Sequence, residues 1–375
     1  MSEQRYVFLS HTSRPGGGEL ALARFLAASS IRQQFTLATF HDGRVWEPVR
    51  RAGVPVIVIA GTRNSTAWNV LGLARLMRRE QDALFIANSM RIALIAAIVR
   101  PRRGSLIYWV RDGLIETSTK RGRLLTTRFV TLRRVSGCLA NSAWTAASVR
   151  RLRGELPLRI APSPSGIARA RMSLSPRLLP ATHDVVRLLF LGRVAPWKAP
   201  HVAIDALAVL ERSASTRFEL TIAGAALFGE HGYEAGLRTL AATRDNVSLA
   251  GHVKDVEPLL RDHDILVHCS VTPEPYGQVI VQGLAHGLPV VATHGGGPSA
   301  IIRDGIDGLL YEPGDARALA SCLRQLCSDP GRYRAMSAQA ISRAEEFADE
   351  VVIHTTDVAL QELAGLRPHS TQVAR

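Results

Sequence analysis

Short apolar runs that alternate with helical stretches from one end of the chain to the other constrain the fold most. Tyr6–Ser10, Phe35–Phe40, Val54–Ala60, Ala83–Ala87, Leu106–Val110 and Gly137–Ala140 lack the polar alternation of a half-exposed strand. Between them, Glu19–Ser29, Asn69–Glu80 and Met90–Arg100 space their apolar residues as helices do. Strands apolar on both faces belong to parallel sheets, and parallel neighbours need helical crossovers. The second half repeats the plan with Val186–Gly192, Phe218–Ala223, Val247–Ala250, Ile265–His268, Pro289–Ala292 and Gly308–Tyr311. Helices His201–Arg212, Tyr233–Thr243 and Gln278–Gly287 fall among these runs. The chain's 375 residues suffice for two domains of ordinary size. The fold class is therefore α/β: two Rossmann-like parallel-sheet domains facing across a cleft, with ligands bound beyond the strand carboxyl ends. The expected bounds are 1–178 and 185–350, joined by a linker from Pro176 to Asp184. Residues 351–375 follow, with a helix over Val351–Leu363 that crosses back to the first domain and a polar tail.

Charge divides the chain at the same place. The formal net charge is +14, made of +20 in residues 1–180 and −6 in the remainder. A strongly basic half implies an anionic partner, and charge alone does not choose among membrane, phosphorylated substrate and nucleic acid. Nucleic acid gains no support from any RNA-recognition motif, helix-turn-helix or zinc finger. The stretch Lys120–Arg134 interleaves Arg123, Arg128, Arg133 and Arg134 with Leu124, Leu125, Phe129 and Leu132, a basic amphipathic helix. It either lies on anionic lipid or buries its apolar stripe and leaves its arginines solvated. Arg100–Arg103 adds to the basic surface. The reading adopted is docking of the first domain on the inner leaflet, where it meets a lipid-linked or polyanionic acceptor.

The longest apolar runs, Ile92–Val99 and Val54–Ala60, are far short of a membrane span. The start MSEQRYVFLS has no leader pattern, so the expected location is the cytoplasm. Cys138, Cys269, Cys322 and Cys327 show no CxxC spacing and read as reduced thiols.

Two segments carry candidate chemistry. Glu274-Pro-Tyr-Gly277 leads from a strand into a helix whose first amides, around Gly277–Val279, form a seat for phosphate. Glu274 stands before that turn and Gln282 about one turn inside. Leu191-Gly-Arg193-Val-Ala-Pro-Trp-Lys198 ends an earlier strand, and its two cations can converge on a diphosphate, Arg193 as a fork and Lys198 as a point charge.

The pattern GR-x4-K, then E-P-Y-G-x4-Q, then GLPVVAT-x-GG, resembles the C-terminal half of family-4 retaining glycosyltransferases (glycosyl transferases group 1) of the GT-B fold. Gly16-Gly17-Gly18-Glu19, Asn141-Ser142-Ala-Trp144-Thr145 and Ser165-Gly166-Ile167 resemble that family's N-terminal motifs more loosely. The resemblance implies transfer of a sugar from a nucleoside diphosphate sugar to a hydroxyl acceptor. It implies retention at the anomeric carbon, with no metal and no other cofactor. Arg193 and Lys198 would bind the diphosphate and Glu274 the transferred sugar. Tyr276, Gly277, Gln278 and Val279 would border sugar or phosphate, Gln282 the ribose and Val253 the nucleobase. Gly17 and Gly18 would let the N-terminal backbone approach the reacting centre.

The chain departs from that pattern in three places. Gln282 replaces the second glutamate of E-x7-E, so one neutral acceptor oxygen and an NH2 stand where a carboxylate is usual. Ala300 replaces a glutamate after the GG turn. Arg111-Asp112 occupies the place of a His-Asp pair, and both are acceptor-side candidates. Asp262-His263-Asp264 looks like a metal-binding DxD, yet its position immediately before a strand favours a structural role. The competing readings are a sugar-nucleotide epimerase of GT-B type and a non-catalytic sugar-nucleotide binder.

Overall fold

The computed structural model describes residues 4–59, 66–102, 104–116, 119–180, 185–212 and 216–366. Arg103, residues 181–184 of the expected linker and the tail from 367 onward lie outside them.

The first compact unit comprises Met1–Gly166 with Asp349–Arg375. Its strands are β1 (Tyr6–Ser10), β2 (Phe35–Thr39), β3 (Val56–Val58), β4 (Leu84–Ala87), β5 (Ser105–Val110), β6 (Gly137–Ala140) and β7 (Leu158–Ile160). They form one parallel sheet in the order β3-β2-β1-β4-β5-β6-β7, with Phe8 of β1 opposite Leu37 and Ile86. Strand β7 was not among the expected runs. At three residues, one of them Arg159, an edge strand is too short to show an apolar pattern. On one face Phe8, Phe25, Phe35 and Trp109 pack as an aromatic cluster with ring centroids 4.9–6.5 Å apart.

The last helix, Asp349–Gly365, buries Ile353, Ala359, Leu360 and Leu363 in that same core. Asp357 anchors it by accepting from Ser29 Oγ at 2.6 Å and Ser30 Oγ at 2.8 Å, and Asp349 accepts from the Ser165 amide at 2.8 Å.

The second unit is Ile167–Ala348. Strands β8 (Val185–Leu191), β9 (Arg217–Ala223), β10 (Val247–Gly251), β11 (Ile265–His268), β12 (Val290–Thr293) and β13 (Gly308–Tyr311) form a parallel sheet in the order β10-β9-β8-β11-β12-β13. Residues 167–178, placed with the first domain by the sequence reading, pack here. Ser173 donates its amide to Ala285 O at 2.8 Å. The Arg177 guanidinium gathers the carbonyls of Leu260, Arg261, His263 and His286 at 2.7–2.9 Å. Those partners lie more than eighty residues away in the chain, so no local pattern announces them.

Truncating Leu360 to Ala removes a fully buried side chain from the shared core and should cost about 2–5 kcal/mol. The transition to follow is that of the first unit in calorimetry. An unchanged midpoint would show that the last helix adds nothing to that unit's stability.

Candidate functional site

In the second sheet the chain lays β9 and β10 on one side of β8, then returns to place β11, β12 and β13 on the other. Loops leaving β8 and β11 therefore diverge at their carboxyl ends, which is where open parallel sheets bind ligands. The β8 loop carries Arg193 and Lys198, the β11 loop carries Glu274, and the Val271 amide donates to Trp197 O at 2.8 Å to tie the loops together. Ala199, which follows Lys198, sits in the left-handed region at φ 46° and is alone among the described non-glycine residues in doing so. Backbone strain of this kind persists only where the surroundings over-determine it.

Glu274 Oε2 is the focus of the site. Lys198 Nζ and His268 Nε2 each donate to it at 2.6 Å, and Ser270 Oγ stands at 3.4 Å. His268 is buried at the end of β11, with Thr293 Oγ1 at the end of β12 3.3 Å from its Nδ1. Burial alone would push the Glu274 carboxyl up. The Lys198 charge and the His268 hydrogen bond outweigh it and hold this group well below the usual carboxylate range. The carboxylate is therefore ionised and can only accept, which suits it to hydroxyl donors.

The turn at Gly296 and Gly297 braces this loop from behind. The Gly297 amide donates to Glu274 O at 2.6 Å, and a Cβ there would lie 1.9 Å from Tyr276 O. Only glycine allows that approach. Tyr276 is buried, Gly277 at φ 113° opens the helix Gln278–Ala285, and Gln278 and Val279 supply its first amides. Gln282 is half-buried one turn in, and Ala300 is exposed on the short helix Pro298–Ile301.

Arg193 faces a different set of groups. Its guanidinium stacks 4.7 Å from the Phe228 ring centroid and 5.4 Å from that of Trp197, with Glu230 at 3.7 Å. Lys198 Nζ lies 4.6 Å from the same Trp197 ring, so one indole flanks both cations. Val253 is half-buried in the loop beyond β10, two strands from β8. Asp262-His263-Asp264 is structural: Asp264 Oδ2 accepts from the Arg187 amide, and His263 Nδ1 is 2.7 Å from Leu259 O. Among the described residues no group of three or more His, Cys, Asp or Glu is placed to hold a metal ion.

The remaining candidates lie in the first unit, at the carboxyl edge of its own sheet. Gly17 and Gly18 begin the helix Gly17–Ala28. Arg111, one residue past β5, donates through Nε to Asn88 Oδ1 at 2.5 Å and through Nη1 to Ser163 Oγ at 2.8 Å, and stacks 4.0 Å over Trp109. Its Nη2 is buried with no hydrogen-bond partner among the described residues. Burial pulls this guanidinium down to about 10 against the opposing carboxylates of Glu19 and Asp112. A Cβ on Gly18 would sit 3.2 Å from Arg111 Cδ, so the glycine leaves the arginine its place. Asp112 itself is exposed.

His268, Ser270, Thr293 and Phe228 were not singled out as site residues by the sequence, and Trp197 reads there as a packing residue that could also line the cleft beside Lys198. A usable signal did exist for His268 and Thr293, because each is a polar residue ending a strand that is otherwise apolar and buried. In the first unit, Asn88 and Ser163 were missed because their role depends on where Arg111 reaches.

A family described as Glycosyl transferases group 1 matches residues 185–329. The D-inositol 3-phosphate glycosyltransferase of Rhodococcus jostii (strain RHA1) is 30% identical over 214 residues, 54% of this chain and 44% of that protein. The chain thus spans less than half the length of that relative. The lipopolysaccharide core biosynthesis glycosyltransferase LpsE of Rhizobium meliloti (strain 1021) is 28% identical over 363 residues, 94% of this chain and 97% of LpsE. Among solved structures, Anabaena HepE in complex with UDP-glucose superposes with a TM-score of 0.84 at 24% identity, covering 97% of this chain and all of that one. The two parallel-sheet units are those of the GT-B class.

Removing one member of a buried ion pair strands the other. Lys198→Ala and Glu274→Ala should each destabilise the second unit by about 3 kcal/mol, and the double variant Lys198→Met with Glu274→Gln by less than their sum. A depressed folded-state carboxyl contributes stability that is complete above its unfolded value and is lost as pH falls through its folded one. Wild type should therefore lose stability on acidification below the usual carboxylate range, and Glu274→Gln should flatten that limb. Parallel acid limbs in urea titrations would refute the assignment.

Proposed function

We propose that this chain, whose residues 185–329 match the glycosyl transferases group 1 family, moves a sugar from a nucleoside diphosphate sugar to a hydroxyl acceptor. The observation that carries this reading is the ionised Glu274 carboxylate held by Lys198 and His268 at the β8–β11 reversal, with Arg193 on the same loop as Lys198. Glu274 accepts from sugar hydroxyls. Lys198 has three N–H donors, of which Glu274 takes one, and the others turn to the diphosphate together with the Arg193 fork.

As the sugar–phosphate bond breaks, negative charge grows on the leaving diphosphate. Cations and helix amides already fixed in place stabilise it without reorganising. The Gln278 and Val279 amides at the start of their helix act in the same sense. Two fixed positive charges supply what a divalent metal would otherwise supply, so transfer proceeds in EDTA. Retention at the anomeric carbon follows from attack on the face that the phosphate leaves, with Glu274 holding the sugar and no covalent nucleophile invoked. Gln282 receives the ribose through a neutral amide and Val253 borders the base.

HepE binds UDP-glucose, which makes UDP-sugars the first donors to try. LpsE, which spans nearly the whole chain, is named for lipopolysaccharide core synthesis, and this supports a saccharide acceptor carried on lipid. On the acceptor side, Arg111 Nη2 offers its unused donor to an anionic or hydroxyl group, beside Asp112 and the Gly17–Gly18 backbone.

Thermal-shift measurement against UDP-, GDP-, ADP- and dTDP-sugars tests donor binding. Saturation at 100 times Kd adds about 2.7 kcal/mol to the folded state, roughly 5–10 °C for a unit of this size. Lys198→Ala or Glu274→Ala should lower transfer by about 100-fold or more. Near-wild-type turnover would remove both from the site. Donor consumption without acceptor would point instead to an epimerase, and binding without turnover to a non-catalytic binder. Arg111→Met should raise the acceptor KM and leave the donor shift unchanged; an unaltered KM would place the acceptor elsewhere.

A further inference from the structure

Residues 117–154 contain nine lysines and arginines and no acidic residue. The structure shows what becomes of the amphipathic helix in this stretch. Its inward side buries Leu124, Thr127, Thr131 and Leu132, with Leu132 in the core of the first unit. Its outward side does not bury its apolar residues. Leu125 and Phe129 remain 48% and 49% exposed, and they lie on one row, four apart, with Arg121 before them and Arg133 after. The two alternatives left open by the sequence are thus both realised, on opposite sides of one helix.

Local geometry adds to this. Residues Thr127–Thr131 form a π-helical turn, a rare irregularity that tends to mark functional positions. Arg128 and Arg133 flank Phe129 at 5.2 and 5.6 Å from its ring centroid. Arg128, Phe129, Arg133, Leu152 and Arg153 line an open pocket of about 470 Å³. Among the described residues, none of these arginines pairs with a carboxylate. Arg134 and Arg153 are already engaged, capping backbone carbonyls of Ala97 and Leu132, while Arg128 and Arg133 point charge at solvent. Ile98, 55% exposed at the end of the helix Met90–Val99, belongs to the same neighbourhood, since Arg134 reaches that helix end.

We propose that this row is a docking surface for an anionic phospholipid bilayer, in which Phe129 and Leu125 enter the interface and Arg121, Arg128 and Arg133 meet lipid phosphates. The combination of exposed apolar residues with unpaired guanidinium groups is what an interfacial helix needs. Apolar insertion adds to an electrostatic attraction that by itself gives only loose binding. A nucleic-acid backbone would use the arginines and a base could stack on Phe129, but the aliphatic Leu125 and Ile98 give such a partner nothing to stack on, whereas lipid takes them in with Phe129. The pocket suits one headgroup phosphate between Arg128 and Arg133. No described helix is long and apolar enough to cross a membrane, so contact made in this way is peripheral.

The test is co-sedimentation of the full chain with vesicles of pure phosphatidylcholine and with vesicles containing about a third phosphatidylglycerol, at low salt. The chain should sediment with the anionic vesicles and remain in solution with the neutral ones. Arg128→Ser with Arg133→Ser should weaken partitioning about 25-fold, at about fivefold per charge. Phe129→Ser with Leu125→Ser, which leaves the charge unchanged, should weaken it several-fold. All four side chains are solvent-facing, and the far-UV circular dichroism and calorimetric melt of each variant report separately that its first unit remains folded. Equal sedimentation with both vesicle types would overturn the proposal. So would charge-neutral variants that bind as wild type does, or a preference for random-sequence single-stranded DNA abolished by Arg128→Ser alone.

Discussion

The pairing of β11 with β8 governs the chemistry of this molecule. Strand β11 comes after β9 and β10 in the chain, yet it lies beside β8, with Val267 opposite Phe190. That adjacency brings two loops separated by about eighty residues into hydrogen-bond contact and sets Lys198 against Glu274. Neither group would be tolerable alone where it sits, since desolvating an isolated charge costs several kcal/mol. Together, with His268 as a second donor, they form a charged pair whose geometry is set before any ligand arrives. Preorganisation of this kind separates a binding site from a collection of polar side chains.

The first unit solves the same topological problem with different chemistry. Its sheet reverses between β1 and β4, and there too the strand ends are tied by side chains, with Ser89 Oγ 2.9 Å from His11 Nδ1. Burial and the neighbouring Arg91 and His41 hold His11 down to about 4, so at neutral pH it is an uncharged hydrogen-bonding group. A deeply placed cation here is Arg111, clamped by Asn88, Ser163 and the Trp109 ring. One edge thus presents a carboxylate supported by cations, and the other a guanidinium whose Nη2 has no hydrogen-bond partner among the described residues.

Legibility from sequence was uneven for identifiable reasons. Strand positions in both halves were visible because parallel strands buried on both faces must be apolar throughout, and that requirement is written locally. The cations at 193 and 198 and the glutamate at 274 stood out because glycine and proline punctuate the loops that bear them. Strand β7 was invisible because three residues at a sheet edge are under little compositional demand. The affiliation of residues 167–178 was invisible because it rests on Arg177 meeting four carbonyls from another part of the chain. For the helix 121–134, the amphipathic pattern was plain, but the face that would be covered was not.

The sequence by itself determined that this chain is two parallel α/β sheets, where the loops that carry chemistry lie, and that its first half is strongly basic. Those properties follow from periodicity, turn residues and charge, each of which acts over a few positions. Tertiary structure alone decided that Lys198 closes on Glu274, that His268 and Thr293 stand behind it, that Arg111 Nη2 is buried without a hydrogen-bond partner among the described residues, and that Phe129 stays in solvent while Leu132 does not. Each of these depends on which strands become neighbours and which faces are covered. Chain order leaves that choice open, and burial of the whole apolar surface at once settles it.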